Sequence, residues 1–383
     1  MFAASFSLIT VAADPKPLHF FESKYGSESV TVNSDGMVAG DRSFYEVIGG
    51  LGHYLTEPVF WDGIQKNYDA IPDLEGYTYS FVNGISPKGL VVGRAARATA
   101  PPSQAYLWSK ASGIVGLEFP PGGYTASSAE AIAETRAVGW SSGENLALSA
   151  CVWTATTANG RYEWKADLLP VVAPAIPAGG AQGSQARAIS SDGKWVGGHE
   201  NGRPVIWHEV DGVWVRNQIA DDEGYVQGIN NQGDAVGRSP YVFTDANGEI
   251  HSSTKAFYFS SLKNENLELG KTTKGHEGSS AVAISDDGVI VGNSLAPHHG
   301  DGANDGFIYR LKDAKLIRIR VNPENYIPIY EEVPEALLDD DLETQSLILS
   351  DIADGGLVSG HTAQTENTIE DWTPMQMFTL VLP

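Results

Sequence analysis

Short apolar runs rich in Val, Ile, Phe, Tyr and Trp alternate with clusters of Gly, Asp, Asn and Ser along the chain, and no long stretch sustains a helical period. This pattern predicts an all-β protein. One unit recurs. A short strand ends near Ile-Ser or Ile-Asn, a tight turn ends in Gly, and a second strand ends in Val-x-Gly or a close variant. The paired glycines keep one spacing in Gly36/Gly40, Gly89/Gly93, Gly193/Gly197, Gly233/Gly237, Gly288/Gly292 and Gly356/Gly360. A further copy, Ala131–Gly139, has a shortened turn without the first glycine. Asp35-Gly36, Asp192-Gly193 and Asp287-Gly288 are hairpin chemistry, because a tight hairpin needs residues that tolerate positive φ.

A third strand follows each second glycine after a variable gap and ends in an aromatic residue: Trp61, Trp108, Trp153, Trp207, Phe259 and Tyr309, with a degenerate copy near Met375–Phe378. A weaker fourth strand comes next, such as Gly113–Leu117 or Lys315–Ile319. Four antiparallel strands repeated seven times, apolar on both faces, predict a seven-bladed β-propeller over residues 14–383. The small residues Ala129/Ala131, Ala186/Ala188 and Ala281/Ala283 suit crowded first strands near the axis. The last copy ends after its third strand, and Pro17–Glu22 is a spare strand, so the N-terminal strand is expected to close the ring. Residues 322–344, with acidic Asp339–Asp341, read as an insertion between blades 6 and 7.

The net charge of −23 and pI of about 4.6 argue against nucleic acid and anionic membranes as partners. A single cysteine, Cys151, excludes an intrachain disulfide and reads as a small buried apolar residue. No apolar run reaches the roughly 18 residues of a membrane span. Residues 1–13 read either as a signal segment, with Val11-Ala12-Ala13 as a small-residue cleavage site but no basic start, or as an extra strand.

The repeats resemble the extracellular HAF-type repeat, whose first hairpin reads roughly Ala-Ile-Asn-x-x-Gly-x-Val-Val-Gly and whose third strand opens with His-Ala-Phe. The resemblance rests on Ala188–Gly197, Gly228–Gly237 and Ala283–Gly292, and covers about residues 27–383. The literal tripeptide is absent, Lys255-Ala256-Phe257 being its nearest counterpart. The resemblance implies a bacterial propeller-like protein that is secreted, periplasmic or extracellular. It transfers no catalytic residues. Ser190–Trp195 departs from the spacing of a sialidase Asp-box.

Topology separates a face of short first-to-second-strand turns from a face of long, variable loops, and binding belongs on the latter. The positions after each Val-x-Gly, namely Asp41/Arg42, Arg94, Trp140, His199, Arg238, Asn293 and His361, are expected to ring the channel mouth there. Arg94, Trp140, His199, Arg238 and His361 are the candidate ligand residues. Guanidinium forks match carboxylates and indole stacks on sugar rings, so an anionic or polyhydroxyl ligand is expected. The alternative is independent loop residues satisfied by nearby acids, such as Glu200 beside His199. The leading functional reading is a binding or scaffold propeller for a glycan or cell-surface protein. The other is a polysaccharide lyase or hydrolase, with His199 or His361 as general base. His298–Gly306 lacks the ligand spacing of a calcium loop, so no metal and no cofactor are expected.

Overall fold

The computed structural model describes residues 19–20, 27–48, 51–63, 68–97, 102–144, 146–158, 161–172, 183–244, 248–296, 304–322, 327–334, 337–338, 345–362 and 377–382. It is all β: seven four-stranded antiparallel blades in a ring. The first strands are Ser27–Val32, Tyr79–Ile85, Ala126–Ile132, Ser184–Ile189, Tyr225–Ile229, Gly278–Ile284 and Gln345–Ala353. Each packs against the next, and the last packs against the first. Closure falls where the sequence puts it. His19–Phe20 is the outer strand of blade 7 and pairs antiparallel with Met377–Val381, His19 opposite Thr379 and Phe20 opposite Phe378. In the insertion, Pro328–Glu332 adds a fifth strand to the outer edge of blade 6, pairing with Lys315–Val321. Residues 1–13 and the acidic run at 339–341 lie outside the described residues.

The two glycines of the repeat have different causes. The turn glycines Gly36, Gly89, Gly193, Gly233, Gly288 and Gly356 sit at φ of 74–79°, where a side chain is strained. The second glycine answers a β-bulge in the first strand. In blades 2 to 7 the register slips by one residue at Asn83, Glu130, Arg187, Gln227, Val282 and Ser350. Beside each slip a first-strand carbonyl presses on the second strand. A Cβ on Gly93, Gly139, Gly198, Gly237, Gly292 or Gly360 would overlap the carbonyl oxygen of Phe81, Ser128, Gln185, Tyr225, Ser280 or Ile348 respectively. In blade 4 the glycine under the carbonyl is therefore Gly198, because that turn is one residue longer, while a Cβ on Gly197 would instead meet the Val226 side chain.

Blades adhere through buried aromatics and a repeated polar stitch. Trp61, Trp153 and Trp207 are almost fully buried. The Trp153 and Trp207 indoles each donate at 2.7 Å to a carbonyl just past the preceding blade's fourth strand, Glu118 O and Pro170 O. The Ser127, Ser184 and Ser279 hydroxyls accept from the backbone N–H of Ala105, Ala150 and Ala256 on the preceding blade's third strand, at 2.8–3.0 Å. Where that third-strand residue is Pro204, which has no N–H to satisfy, the matching first-strand position is Gly224.

Candidate functional site

The bulges determine what faces the axis. Each inserts an extra side chain into the bore, so a layer of Asn83, Glu130, Arg187, Gln227, Val282 and Ser350 crosses it. These residues, with those running on to the short turns, line a cavity of about 280 Å³. The cavity therefore occupies the half of the bore nearer the short turns.

At that end the polar groups are bonded from blade to blade. Asn231 N donates to Asp286 Oδ1 and Asp286 N to Asp354 Oδ1, both at 2.8 Å, so equivalent turn positions hand one bond around the ring. Asp192 N donates to Asn231 Oδ1 at 2.8 Å. Asp351 accepts from Thr31 Oγ1 at 2.7 Å and Val32 N at 3.1 Å across the closure seam. Burial raises the Asp351 carboxyl above the usual range, and burial likewise raises Asp286, with Asp354 adding to it.

The positions after the second glycine lie one strand out from the axis, and most face the neighbouring first strand. Asp41 Oδ1 accepts from Val82 N at 3.0 Å, and Asn293 bonds both the N–H and the carbonyl of Leu349, at 2.8 and 2.9 Å. Trp140 donates from Nε1 to Glu130 Oε1 at 2.9 Å. Arg94 lies over Phe81, 5.4 Å from the ring centroid. Burial lowers His361 to about 4. None of Arg94, Trp140, His199, Arg238 and His361 lines the central cavity or the blade 5 cleft described below.

Two of these five do meet. Arg238 donates from Nε to the Tyr225 hydroxyl and lies 4.9 Å from that ring's centroid. His199 approaches the same ring, centroids 6.1 Å apart. The bulge residue Arg187 completes the group, 4.7 Å from the Tyr225 centroid, with Nη2 donating to Gln185 Oε1 at 2.9 Å. His199 is lowered to about 4, chiefly by burial and then by the Arg187 charge. Neither Arg187 nor Arg238 forms an ion pair with a carboxylate among the described residues, in contrast to Arg136 with Glu209 and Arg216 with Glu200.

A larger cleft, about 670 Å³, lies farther out on the long-loop face. Its walls are the blade 4–5 connection at Ala220, Asp222 and Glu223, the blade 5 hairpin strand from Ser239 to Val242, and Asn266–Glu268. Val242 is 66% exposed and Leu267 44%. Tyr241 is held from behind: its hydroxyl donates to Glu277 O, Phe243 stacks on it at 5.6 Å, and Lys255 Nζ lies 5.0 Å from its centroid and 3.0 Å from Glu268. Sequence reading missed both this cleft and Arg187. For Arg187 a signal was present: a long polar residue between the two small residues of a first strand.

The remaining candidates carry no chemistry. Cys151 is fully buried and its thiol is pushed up to about 12, mainly by burial. The loop at 297–303 lies outside the described residues, and no group of three or more His, Cys, Asp or Glu side chains among the described residues is placed to hold a metal ion. Among the described residues no helix is long and apolar enough to cross a membrane.

No protein-family model and no curated protein matches the sequence. Similar solved structures include a chain of a mitotic checkpoint complex, at 11% identity over 100% of both chains with a TM-score of 0.47. TolB from Acinetobacter baumannii is similar at 10% identity over 89% of this chain and 79% of that one, TM-score 0.38. A Trypanosoma rangeli sialidase in complex with sialic acid is similar at 13% identity over 97% of this chain and 58% of that one, TM-score 0.36. Nothing about activity or ligand follows from likenesses at this level.

Proposed function

We propose that this is an exported binding propeller of the HAF-repeat kind that recognises a glycan through its long-loop face. The observation that supports it is the blade 5 cleft. A sugar ring is two-sided chemistry, with C–H faces and hydroxyl edges. The cleft offers both complements: Pro240, Val242 and Leu267 as apolar wall, and Asp222, Glu223, Asn266 and Glu268 as planar hydrogen-bonding groups. Arg238 immediately precedes the cleft-lining strand segment, and His199 packs beside it on Tyr225, so these two residues lie next to the cleft without lining it. Export rests on the repeat resemblance and on the segment at residues 2–13.

Binding is favoured over catalysis by the state of the histidines. His199 and His361, lowered to about 4, are neutral and weakly basic at pH 7, and neither lines a described cavity. A glycan array tests the reading. Val242→Arg, at a position 66% exposed, is expected to abolish the hits while leaving the melting temperature unchanged. An array without hits, or hits indifferent to Val242→Arg, overturns it.

A further inference from the structure

We infer that the glycan is acidic, and that its anionic groups are held by Arg187 and Arg238 beside Tyr225, at the long-loop end of the central bore. This deepens the glycan reading and rests on it for the nature of the ligand, though not for the anion site itself.

The first ground is charge. The chain carries −23, yet these two guanidiniums share one aromatic ring with no carboxylate in ion-pair distance among the described residues. Arg136, Arg216 and Arg310 are each paired with an acid. Two like charges gathered around one ring repel each other, and an anion relieves that repulsion. The second ground is hydrogen bonding. Arg187 Nε and His199 Nδ1 are buried from solvent and have no hydrogen-bond partner. A guanidinium has donors and no acceptor, so Arg187 Nε can be satisfied only by an acceptor such as a carboxylate or sulfate oxygen. Gln185, bonded to Nη2, fixes the guanidinium in place.

The third ground is position. Arg187 lines the bore, and Arg238 immediately precedes Ser239–Val242 of the cleft wall. Arg238 and Val242 are four residues apart on the same face of one strand, so about 13 Å separates them. One oligosaccharide can therefore place a uronate at the arginines and a neighbouring neutral ring in the cleft, where Asp222, Glu223 and Glu268 accept from its hydroxyls. The protein's overall negative field does not prevent this. At physiological salt, charges more than roughly 8 Å away are largely screened, so the two nearby guanidiniums dominate.

The test compares an oligouronate in which uronate and neutral rings alternate, the same oligosaccharide with its carboxyls reduced to alcohols, and inorganic sulfate. Binding is measured by calorimetry for the glycans and by thermal shift at low salt for sulfate. The oligouronate is expected to bind at least about tenfold more tightly than its reduced form. Arg187→Gln and Arg238→Gln are each expected to erase that preference and the sulfate shift, while Arg238→Lys retains part of both and exposed Arg203→Gln leaves both intact. Equal affinity for the two glycans, or a preference that survives both Gln substitutions, overturns the inference and leaves the glycan reading standing. A sulfate shift lost in Arg187→Gln, with neither glycan bound, upholds the anion site and overturns the glycan reading. No response to any of the three probes overturns both.

Discussion

The two ends of the central bore are built from the same seven strands and use charge in opposite ways. At the short-turn end, carboxylates are structural. Asp286, Asp354 and Asp351 each accept a backbone N–H from a neighbouring blade. At the long-loop end, blade-to-blade contacts rely largely on neutral groups, such as Ser184 with Ala150 N and Asn293 with Leu349. Two of the charged groups there, Arg187 and Arg238, have no acid to hold, unlike Arg216 with Glu200. The contrast teaches that a charge already bonded to the scaffold is poorly placed to bind anything else, even in the more obvious cavity. In a propeller, regular turns bring the same positions of successive blades together, so polar side chains there bond each other. Irregular loops leave side chains that the next blade does not meet.

The largest expected effect breaks both ends at once. Gly237→Ala forces a Cβ onto the Tyr225 carbonyl beneath the bulge, which should destabilise the fold by more than about 3 kcal/mol in chemical denaturation. Gly212→Ala is its control. That glycine has open space around it and only its φ of 79° to lose, which costs about 1 kcal/mol. Next is the seam. Deleting residues 14–23 removes the outer strand of blade 7 and should lower the melting temperature of the whole ring, because no blade is stable alone. An unchanged melting temperature would show that the strand is dispensable.

A finer comparison sets the stitches against each other. Ser184→Ala strands the Ala150 N–H and should cost about 1–3 kcal/mol. Ser80→Ala should cost less, because the facing third-strand residue is Pro58, so no N–H is stranded and only the bond that Ser80 Oγ donates to Asp73 Oδ1 is lost. Equal costs would mean that the stranded N–H adds nothing to the loss of the hydroxyl.

The smallest effect is with pH. The unfolded chain takes up protons on His199 and His361 near pH 6.5, the folded chain only near 4. Between those values the unfolded state binds more protons, so stability present above pH 6.5 falls on acidification. Asp351 and Asp286, raised by burial, act with the opposite sign. His361→Asn should therefore lose less melting temperature between pH 7 and pH 5 than the parent. A steeper loss in the variant would contradict the lowered histidine.

Most of the fold was legible in the sequence because hairpin glycines and third-strand aromatics mark every blade, and the spare N-terminal strand announces the closure. The second glycine was legible as a pattern but not as a cause. Its cause is the bulge, and bulge residues as unlike as Asn83, Glu130, Arg187 and Val282 share no signature. The same blindness displaced the candidate site. Without the bulge, the positions after Val-x-Gly seem to face the axis. With it, the first-strand residue takes that place, and Asp41, Trp140 and Asn293 turn to bond first strands. Arg238 and His199 were legible as candidates, but the partner that unites them, Arg187 on Tyr225, depends on a register slip and on packing between two blades.

The most direct test of the contrast between the two ends is a crystal structure of the protein soaked with the oligouronate. The account predicts carboxylate groups against Arg187 and Arg238 with a sugar ring running into the cleft beside Val242, and the short-turn cavity between Asp286, Asp351 and Asp354 unchanged. An oligouronate seated in the short-turn cavity, with Arg187 and Arg238 still resting on Tyr225 untouched, would contradict it.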